Sequence, residues 1–231
     1  MFISAPEIAD AARPGQFIHI KCGEERILRR PISICDVGNG IIRIVFEVRG
    51  EGSRWLFNRH EGDVLDVLGP LGNGFDIPDG RVLLAGGGIG VAPLLFVSHH
   101  RLGRCDAVLG YRGADKSALL RDFIESCSDV AIATEDGSIG FRGLVTGPLE
   151  MRLARGGYDA VLACGPWPML KAVAELCMKY DMPCQVSLEA RMGCGVGACL
   201  VCACAVQLGE ERRMARVCAD GPVFNGREVI W

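Results

Sequence analysis

Ser187-Leu-Glu-Ala-Arg-Met-Gly-Cys-Gly-Val-Gly-Ala-Cys-Leu-Val-Cys-Ala-Cys-Ala-Val206 is the stretch around which the rest of the chain is read. Cys194, Cys199 and Cys202 stand in a C-x4-C-x2-C spacing, and Cys218 follows a polar, hairpin-like insert. That is the plant-type spacing for a [2Fe–2S] cluster, in which four thiolates hold two irons. Gly193, Gly195 and Gly197 permit the positive φ angles that turn a loop's amides toward inorganic sulfide, and such hydrogen bonds help set a reduction potential. Two other readings compete. Structural zinc usually takes two short C-x2-4-C knuckles, whereas one tight trio and a distant fourth are present here. A disulfide scaffold is what small exported chains need, and this chain is large for one. The spacing favours iron–sulfur over zinc, and zinc over disulfides. Cys204 lies two residues past Cys202 in an expected strand, residues 202–207, and reads as a buried neighbour rather than a ligand.

The 231 residues suffice for two compact domains or three small ones. A net charge of −3 gives no reason to expect nucleic acid or an anionic membrane surface as partner. No apolar run reaches the roughly 18 residues of a membrane helix. Met1-Phe-Ile-Ser-Ala-Pro-Glu7 lacks the basic start and apolar centre of a signal peptide. Twelve cysteines without an export signal point to a reducing cytoplasm and metal chemistry. The eight outside the candidate ligand set mostly fall in apolar runs and read as core.

Up to about Pro78 the pattern is of short strands broken by Gly, Asn and Asp: 16–21, 32–35, 41–48 and 64–68, with a stub at 2–3. Such segments suggest a small antiparallel barrel. In Arg29-Arg30-Pro31-Ile32-Ser33, Arg30 is a candidate phosphate holder and Ser33 a candidate hydrogen-bond partner for a ring nitrogen. Val45-Phe46-Glu47 offers backbone groups and one aromatic face. Gly50-Glu-Gly52-Ser53 opens a short helix, 54–59, with Ser53 as its N-cap and a helix start open to a pyrophosphate. Read alone, that segment is better taken as a capped surface helix.

The period changes after residues 78–80. A buried strand (81–85), a glycine loop (Gly86-Gly87-Gly88-Ile89-Gly90) and an apolar helix (91–98) with Pro93 in its first turn open a dinucleotide-binding unit. The glycines do not fall as G-x-G-x-x-G, so a plain βα turn is the competing reading. Strands at 106–111, 130–134 and 159–163 alternate with helices at 117–127, 144–154 and 167–180, which argues a parallel sheet. Ligands of such sheets bind beyond the strand C-termini, where the glycine loop, Glu135-Asp136-Gly137-Ser138 and Cys164-Gly165-Pro166 all fall. Cys164 is either core or a neighbour of a nicotinamide. The four histidines share no spacing with acids that would suggest hydrolytic catalysis, and His99 and His100 are expected to face a helix dipole.

Arg-Pro-Ile-Ser, Gly-Glu-Gly-Ser, Gly-Gly-Gly-Ile-Gly-Val-Ala-Pro-Leu, Cys-Gly-Pro-Trp-Pro-Met-Leu and the cysteine loop, in that order, resemble the ferredoxin reductase superfamily over nearly the whole chain. Ser187–Cys199 and Arg216-Val-Cys218-Ala-Asp-Gly-Pro-Val-Phe224 resemble its iron–sulfur branch, the electron-transfer subunits of type B dihydroorotate dehydrogenases. The resemblance implies an FAD-binding barrel (1–78), an NAD-binding domain (79–183) and a [2Fe–2S] domain (184–231). It makes Arg30, Pro31, Ile32 and Ser33 flavin contacts, with Ser33 near the reactive nitrogen. Val45, Phe46 and Glu47 follow the flavin, and Gly52 and Ser53 meet the pyrophosphate. Gly86, Gly87, Gly88, Gly90, Cys164, Gly165 and Pro166 are the expected dinucleotide contacts. Cys194, Cys199, Cys202 and Cys218 are the expected iron ligands. No side chain is expected to act as acid or base; Ser33 and Cys164 position the reactants. The implied partner is an FMN-containing catalytic subunit, two copies of each, with NAD+ as acceptor. Related small subunits of ferredoxin:NADP transhydrogenases or sulfide dehydrogenases share these motifs and are the alternative, with a zinc-stabilised interaction protein as a third. Relatives usually carry one more strand ahead of Pro14-Gly15-Gln16-Phe17, so either the barrel is a strand short or the true start lies upstream. No acidic residue stands where an NAD ribose partner is expected, and Arg112 is placed to meet a 2′-phosphate.

Overall fold

The structure, a computed structural model, describes residues 1–231. The first third holds β1 (Phe2–Ser4), α1 (Pro6–Ala11), β2 (Phe17–Ile20), β3 (Arg30–Gly38), β4 (Ile41–Ile44), α2 (Glu51–Phe57) and β5 (Val67–Leu71). Its strands form one antiparallel sheet in the order β1-β4-β3-β2-β5. Ile18, Ile20, Ile34, Ile42 and Ile44 alternate onto one face and are fully buried with Leu56 and Phe96. The stub at the N-terminus is a true strand, so the sheet has five, with β1 and β5 at its edges. The expected strand 41–48 stops at Ile44, and Val45–Glu47 leave the ladder to line a cleft. The strand expected at 64–68 is shifted to β5, because Val64 lies outside the ladder, just past the turn at 61–62, and is 93% exposed.

The second part adds β6 (Val82–Gly87), α3 (Val91–His100), β7 (Cys105–Tyr111), α4 (Leu120–Ser126), β8 (Asp129–Thr134), β9 (Phe141–Arg142), α5 (Thr146–Arg155), β10 (Ala160–Cys164) and α6 (Trp167–Lys179). β11 (Cys184–Ser187), β12 (Ala203–Leu208), β13 (Glu211–Arg216) and β14 (Val223–Asn225) complete the chain. A seven-stranded sheet runs β14-β11-β10-β6-β7-β8-β9, parallel throughout except for β14. Every residue of β6 and β10 is buried, as central parallel strands covered on both faces require. Asp106 on β7 is 1% exposed and is held by Arg81 at 2.8 Å, Arg152 of α5 at 3.1 Å and the Tyr158 hydroxyl at 2.5 Å. No helix is long and apolar enough to cross a membrane.

The last stretch is tied into this sheet at both ends. Cys184–Ser187 pairs in parallel with β10, and β14 returns antiparallel beside it, so the cysteine loop is carried between two neighbouring strands. Only the β12–β13 hairpin stands apart as a two-stranded sheet.

Two local expectations change. Ser53 is not the N-cap: α2 begins at Glu51, and the Ser53 Oγ accepts the Arg49 and Gly50 amides at 2.9 and 3.1 Å, closing the turn from inside the helix. The histidines ending α3 find specific partners in place of a bare dipole. His99 Nδ1 lies 2.8 Å from Asp36 Oδ2 on β3, and His100 packs edge-on against Phe96.

Candidate functional site: a cysteine loop beside a two-part cleft

Backbone amides turn inward on the four expected ligands. The Cys194 sulfur accepts from the amides of Val196 (3.4 Å) and Ala198 (3.2 Å), and the Cys199 sulfur from that of Cys194 (3.4 Å). The Cys218 sulfur accepts from the Gly197 amide (3.2 Å), and the Cys202 sulfur from the Cys218 amide (3.4 Å). Gly195 (φ +75°) and Gly197 (φ +83°) adopt the left-handed backbone this needs. Gly193 does not; it is small because a Cβ there would stand 3.0 Å from the Cys199 sulfur.

These contacts group the ligands as two pairs, Cys194 with Cys199 and Cys202 with Cys218, each joined by an amide of one donating to the sulfur of the other. No three of the chain's ligand-type side chains close on a single point. Two thiolate pairs suit two irons, each taking two sulfurs, better than one tetrahedral zinc. The two ends of the loop also differ. Hydrogen bonds from amides, Val196's foremost, draw the Cys194 thiol down to about 6. Burial pushes Cys218 up to about 12. Cys199 is exposed, and Val196, Leu200 and Val201 around it are at least half exposed. Cys202 and Cys218 are buried against a core that includes Phe17 and Met192. Cys204 is half-buried and packs against that same core.

Beside this loop a cleft of about 240 Å³ opens between the two sheets. Pro31, Ile32, Ser33, Val45, Phe46 and Glu47 form one wall, Gly90 and Cys164 the opposite one. Ala190, Met192 and Pro222 of the cysteine-loop segment close its end. An adjoining cleft of about 270 Å³ is lined by Arg30, Arg49, Gly52 and Ser53. A Cβ on Gly52 would stand 2.5 Å from the Arg30 Nε, so guanidinium and bare backbone meet there. Arg30 is engaged by carbonyls of Leu28 and Arg29 and by no carboxylate, which leaves its charge available to an anion. An apolar slot joined to a cationic cradle fits a flavin dinucleotide, ring in one part and pyrophosphate in the other.

At the C-terminal edge of the parallel sheet, Cys164 stands in register with Gly86 and Ser187. Burial first, then the Glu189 charge, pushes its thiol to about 12, so it is no thiolate at neutral pH. Of the expected dinucleotide contacts, Gly86 and Gly87 are packed against Val91 and Met169, and Gly90 against Gly165. Gly88 (φ +56°) has open space where a Cβ would point, and Pro166 is exposed at the start of α6. Sequence reasoning missed Glu189 at the cleft mouth. Though its side chain is exposed, crowding by the cleft walls raises its carboxyl, against the pull of Arg49 and with the push of Glu47. It also missed Phe17 and Pro222, apolar residues with no local signal, and His19.

His19 lies on β2 beside the cysteine loop and is fully buried. Burial, then the Arg29 charge, lowers its pKa, while the nearby Cys194 carbonyl acts the other way. Neither ring nitrogen makes a hydrogen bond of proper geometry.

Residues 189–230 match the family model for the iron-sulfur cluster binding domain of dihydroorotate dehydrogenase B. The chain is 44% identical over 220 residues to the dihydroorotate dehydrogenase B (NAD(+)) electron transfer subunit of Caldanaerobacter subterraneus subsp. tengcongensis, covering 94% of this chain and 87% of that one. It belongs to that family. A second electron transfer subunit, from Desulforamulus reducens, is 41% identical over 240 residues, covering 100% of this chain and 92% of its own. Among solved structures, an NADH-dependent reduced ferredoxin-NADP oxidoreductase studied for flavin-based electron bifurcation superposes with a TM-score of 0.86 at 33% identity. That match covers 100% of this chain and 84% of the other. A ferredoxin reductase of carbazole 1,9a-dioxygenase, 22% identical with a TM-score of 0.60 over 74% of this chain and 57% of its own, shares the fold. Membership makes the chain an electron transfer subunit of an oxidoreductase, with the architecture of a ferredoxin reductase extended by an iron–sulfur segment.

Proposed function

We propose that the chain carries electrons released from dihydroorotate on an FMN-containing catalytic subunit to NAD+, in pyrimidine biosynthesis. The observation that carries this is the adjacency just described: two cysteine pairs whose loop also closes the end of the cleft lined by Ser33 and Cys164. When bound, a [2Fe–2S] cluster supplies one-electron transfer and FAD supplies two-electron hydride exchange with NAD. The chain's own residues hold, orient and exclude water.

Cys194, Cys199, Cys202 and Cys218 would hold the irons. Arg30 would offer its charge to the flavin pyrophosphate beside Gly52 and Ser53, a charge-assisted contact of the stronger kind. Pro31, Ile32, Val45, Phe46 and Glu47 would flank the ring, and Ser33, which lines the same slot, would offer it a hydroxyl. Cys164 stays a neutral thiol facing the same slot, so it positions a nicotinamide by contact and not by attack. Gly88 and Pro166 border the open approach to that slot. Gly86, Gly87, Gly90 and Gly165 keep the two loops close enough to form it. Residues 1–78, 79–183 and 184–231 serve as flavin, NAD and cluster units.

The catalytic subunit is placed at the exposed Cys199 end, because electrons must enter where the cluster approaches the surface, and the apolar Val196, Leu200 and Val201 surround that point. Two copies of each subunit, in the cytoplasm where thiols stay reduced, complete the reading. The test is co-purification with that subunit, then dihydroorotate-driven NAD+ reduction. Cys199→Ser should keep NADH–flavin exchange and stop transfer between subunits; persistence of that transfer would refute the route. The second reading, a ferredoxin–NADP oxidoreductase small subunit, rests on the 33% identical structure. Preference for ferredoxin and NADPH over dihydroorotate and NAD+ would select it.

A further inference from the structure

His19, on the strand next to the one that carries the flavin-side residues, packs its ring against the loop that carries the cysteines. His19 is 0% exposed, yet both of its ring nitrogens lack a partner. A buried imidazole left in that state loses the hydrogen bonds it had in water, which disfavours the fold unless something else accepts or donates there. Its ring rests on Gly195: a Cβ there would stand 2.5 Å from Nδ1 and 3.0 Å from Cε1. Phe17 closes another side edge-on, at 6.4 Å between ring centroids. The backbone of His19 is in register with Pro31 on β3. Arg29 Nη1 donates to the His19 carbonyl at 3.3 Å. The ring thus packs against Phe17 and Gly195, and the polar groups of the cysteine loop beside it belong to the Cys194–Gly195 turn, the Cys194 carbonyl among them.

We propose that His19 is a positioning residue for the cluster: its single N–H is the hydrogen-bond donor to the cluster at the Cys194 end, and its ring sets the spacing between the cysteine loop and the strand lining the flavin cleft. The inference rests on the cluster assignment above. It accounts for the unpartnered nitrogens and for glycine at position 195, where the ring leaves no room for a side chain. A donor aimed at a cluster stabilises the charge added on reduction and so raises the potential.

The test uses the complete complex, purified without air, with histidine labelled by 15N. In the dithionite-reduced protein, pulsed electron paramagnetic resonance should show 15N coupling to the cluster, and His19→Phe should abolish it. Phe keeps a ring and removes the donor. The cluster's reduced-to-oxidised ratio at fixed solution potential should fall about tenfold in His19→Phe, equivalent to about 59 mV for a one-electron centre. His19→Gln, which restores an N–H, should recover part of that shift. Should His19→Phe not fold, the coupling in the unaltered complex still decides. A normal cluster signal without 15N coupling, or an unchanged potential in His19→Phe, overturns the proposal and leaves the cluster assignment standing. Absence of any iron–sulfur signal overturns both.

Discussion

Gly90 and Gly165 meet backbone to backbone: a Cβ on Gly90 would stand 2.6 Å from the Gly165 Cα and 2.8 Å from the Cys164 carbonyl oxygen. Two loops from different βα units are thus pressed together at the edge where Cys164 faces the cleft. Gly90→Ala has no strain of backbone conformation to blame, since φ is −62° there. It must push the loops apart, at a cost of about 1–3 kcal/mol for an overpacked site. Thermal unfolding should shift down by roughly 2–4 °C per kcal/mol. NADH-to-ferricyanide activity should fall through KM, because the nicotinamide slot is displaced while the flavin cradle is untouched. Unchanged Tm and KM would show that the contact has slack.

Arg30 has no acidic partner to satisfy it, and its guanidinium lies against the bare backbone of Gly52. Arg30→Met removes the charge and keeps the length of the side chain. FAD affinity should drop by the worth of a hydrogen bond to a charged group, about 1.5–3 kcal/mol, or roughly ten- to a hundred-fold. Arg30→Lys should recover part of it. Titration of the apoprotein with FAD, followed by quenching of flavin fluorescence, measures both; equal affinity in all three proteins would remove Arg30 from the cradle.

The parts of the molecule that were legible in the sequence share one property: a local pattern with a local cause. β6, the glycine loop and α3 follow from an uninterrupted apolar run, residues without side chains and a proline at a tolerated place. The tight cysteine loop follows from cysteine spacing and the glycines between them. What was not legible depends on partners distant in the chain. Cys184–Ser187 reads as the start of the cysteine segment but pairs with β10. Val223–Asn225, 36 residues beyond the end of that strand by residue number, pairs beside it. His99 finds Asp36, 63 positions away. His19 has no motif around it at all; its burial becomes visible only once Gly195 is folded onto it.

Asp106 is 1% exposed and holds together Arg81, Arg152 and Tyr158. Asp106→Ala leaves Arg152, itself 9% exposed, with only Asp129 as a carboxylate partner. Breaking a buried pair from one side costs about 3–5 kcal/mol. The parallel-sheet half should unfold at lower denaturant while bound FAD is released later, seen as separated transitions by far-ultraviolet circular dichroism and flavin fluorescence. A single unshifted transition would contradict the network's role.

Cys164 supplies a pH test whose sign is fixed. Burial raises its folded pKa to about 12, above the roughly 8.5 of an unfolded thiol. Stability from keeping that thiol neutral is complete below pH 8.5. It is lost as pH rises toward 12, because the unfolded chain gives up its proton first. Cys164→Ala removes this part of the alkaline loss. Its Tm should therefore fall less between pH 7.5 and 10.5 than that of the unaltered protein, by differential scanning fluorimetry. Cys35, also pushed to about 12 by burial, contributes equally to both proteins and cancels in the comparison. A parallel fall in both would mean that Cys164 ionises as an ordinary thiol and that the cleft floor is wet.

Gly197 carries the last prediction, since three demands converge on it. Its φ is +83°, its amide donates to the Cys218 sulfur at 3.2 Å, and a Cβ would stand 2.8 Å from the Ala219 Cβ. Its carbonyl also accepts from Arg216 Nη1 at 3.1 Å, which ties the turn to the Arg216–Asp220 ion pair. Gly197→Ala must either strain the left-handed turn or turn the amide away from Cys218, and both loosen the buried sulfur pair. Iron per chain should fall after anaerobic reconstitution, and the remaining cluster should bleach faster in air, while FAD content stays near that of the unaltered protein because the cleft's flavin wall lies on other elements. Full iron loading with unaltered air stability would show that the Cys202–Cys218 end is held by burial alone and owes nothing to the amide.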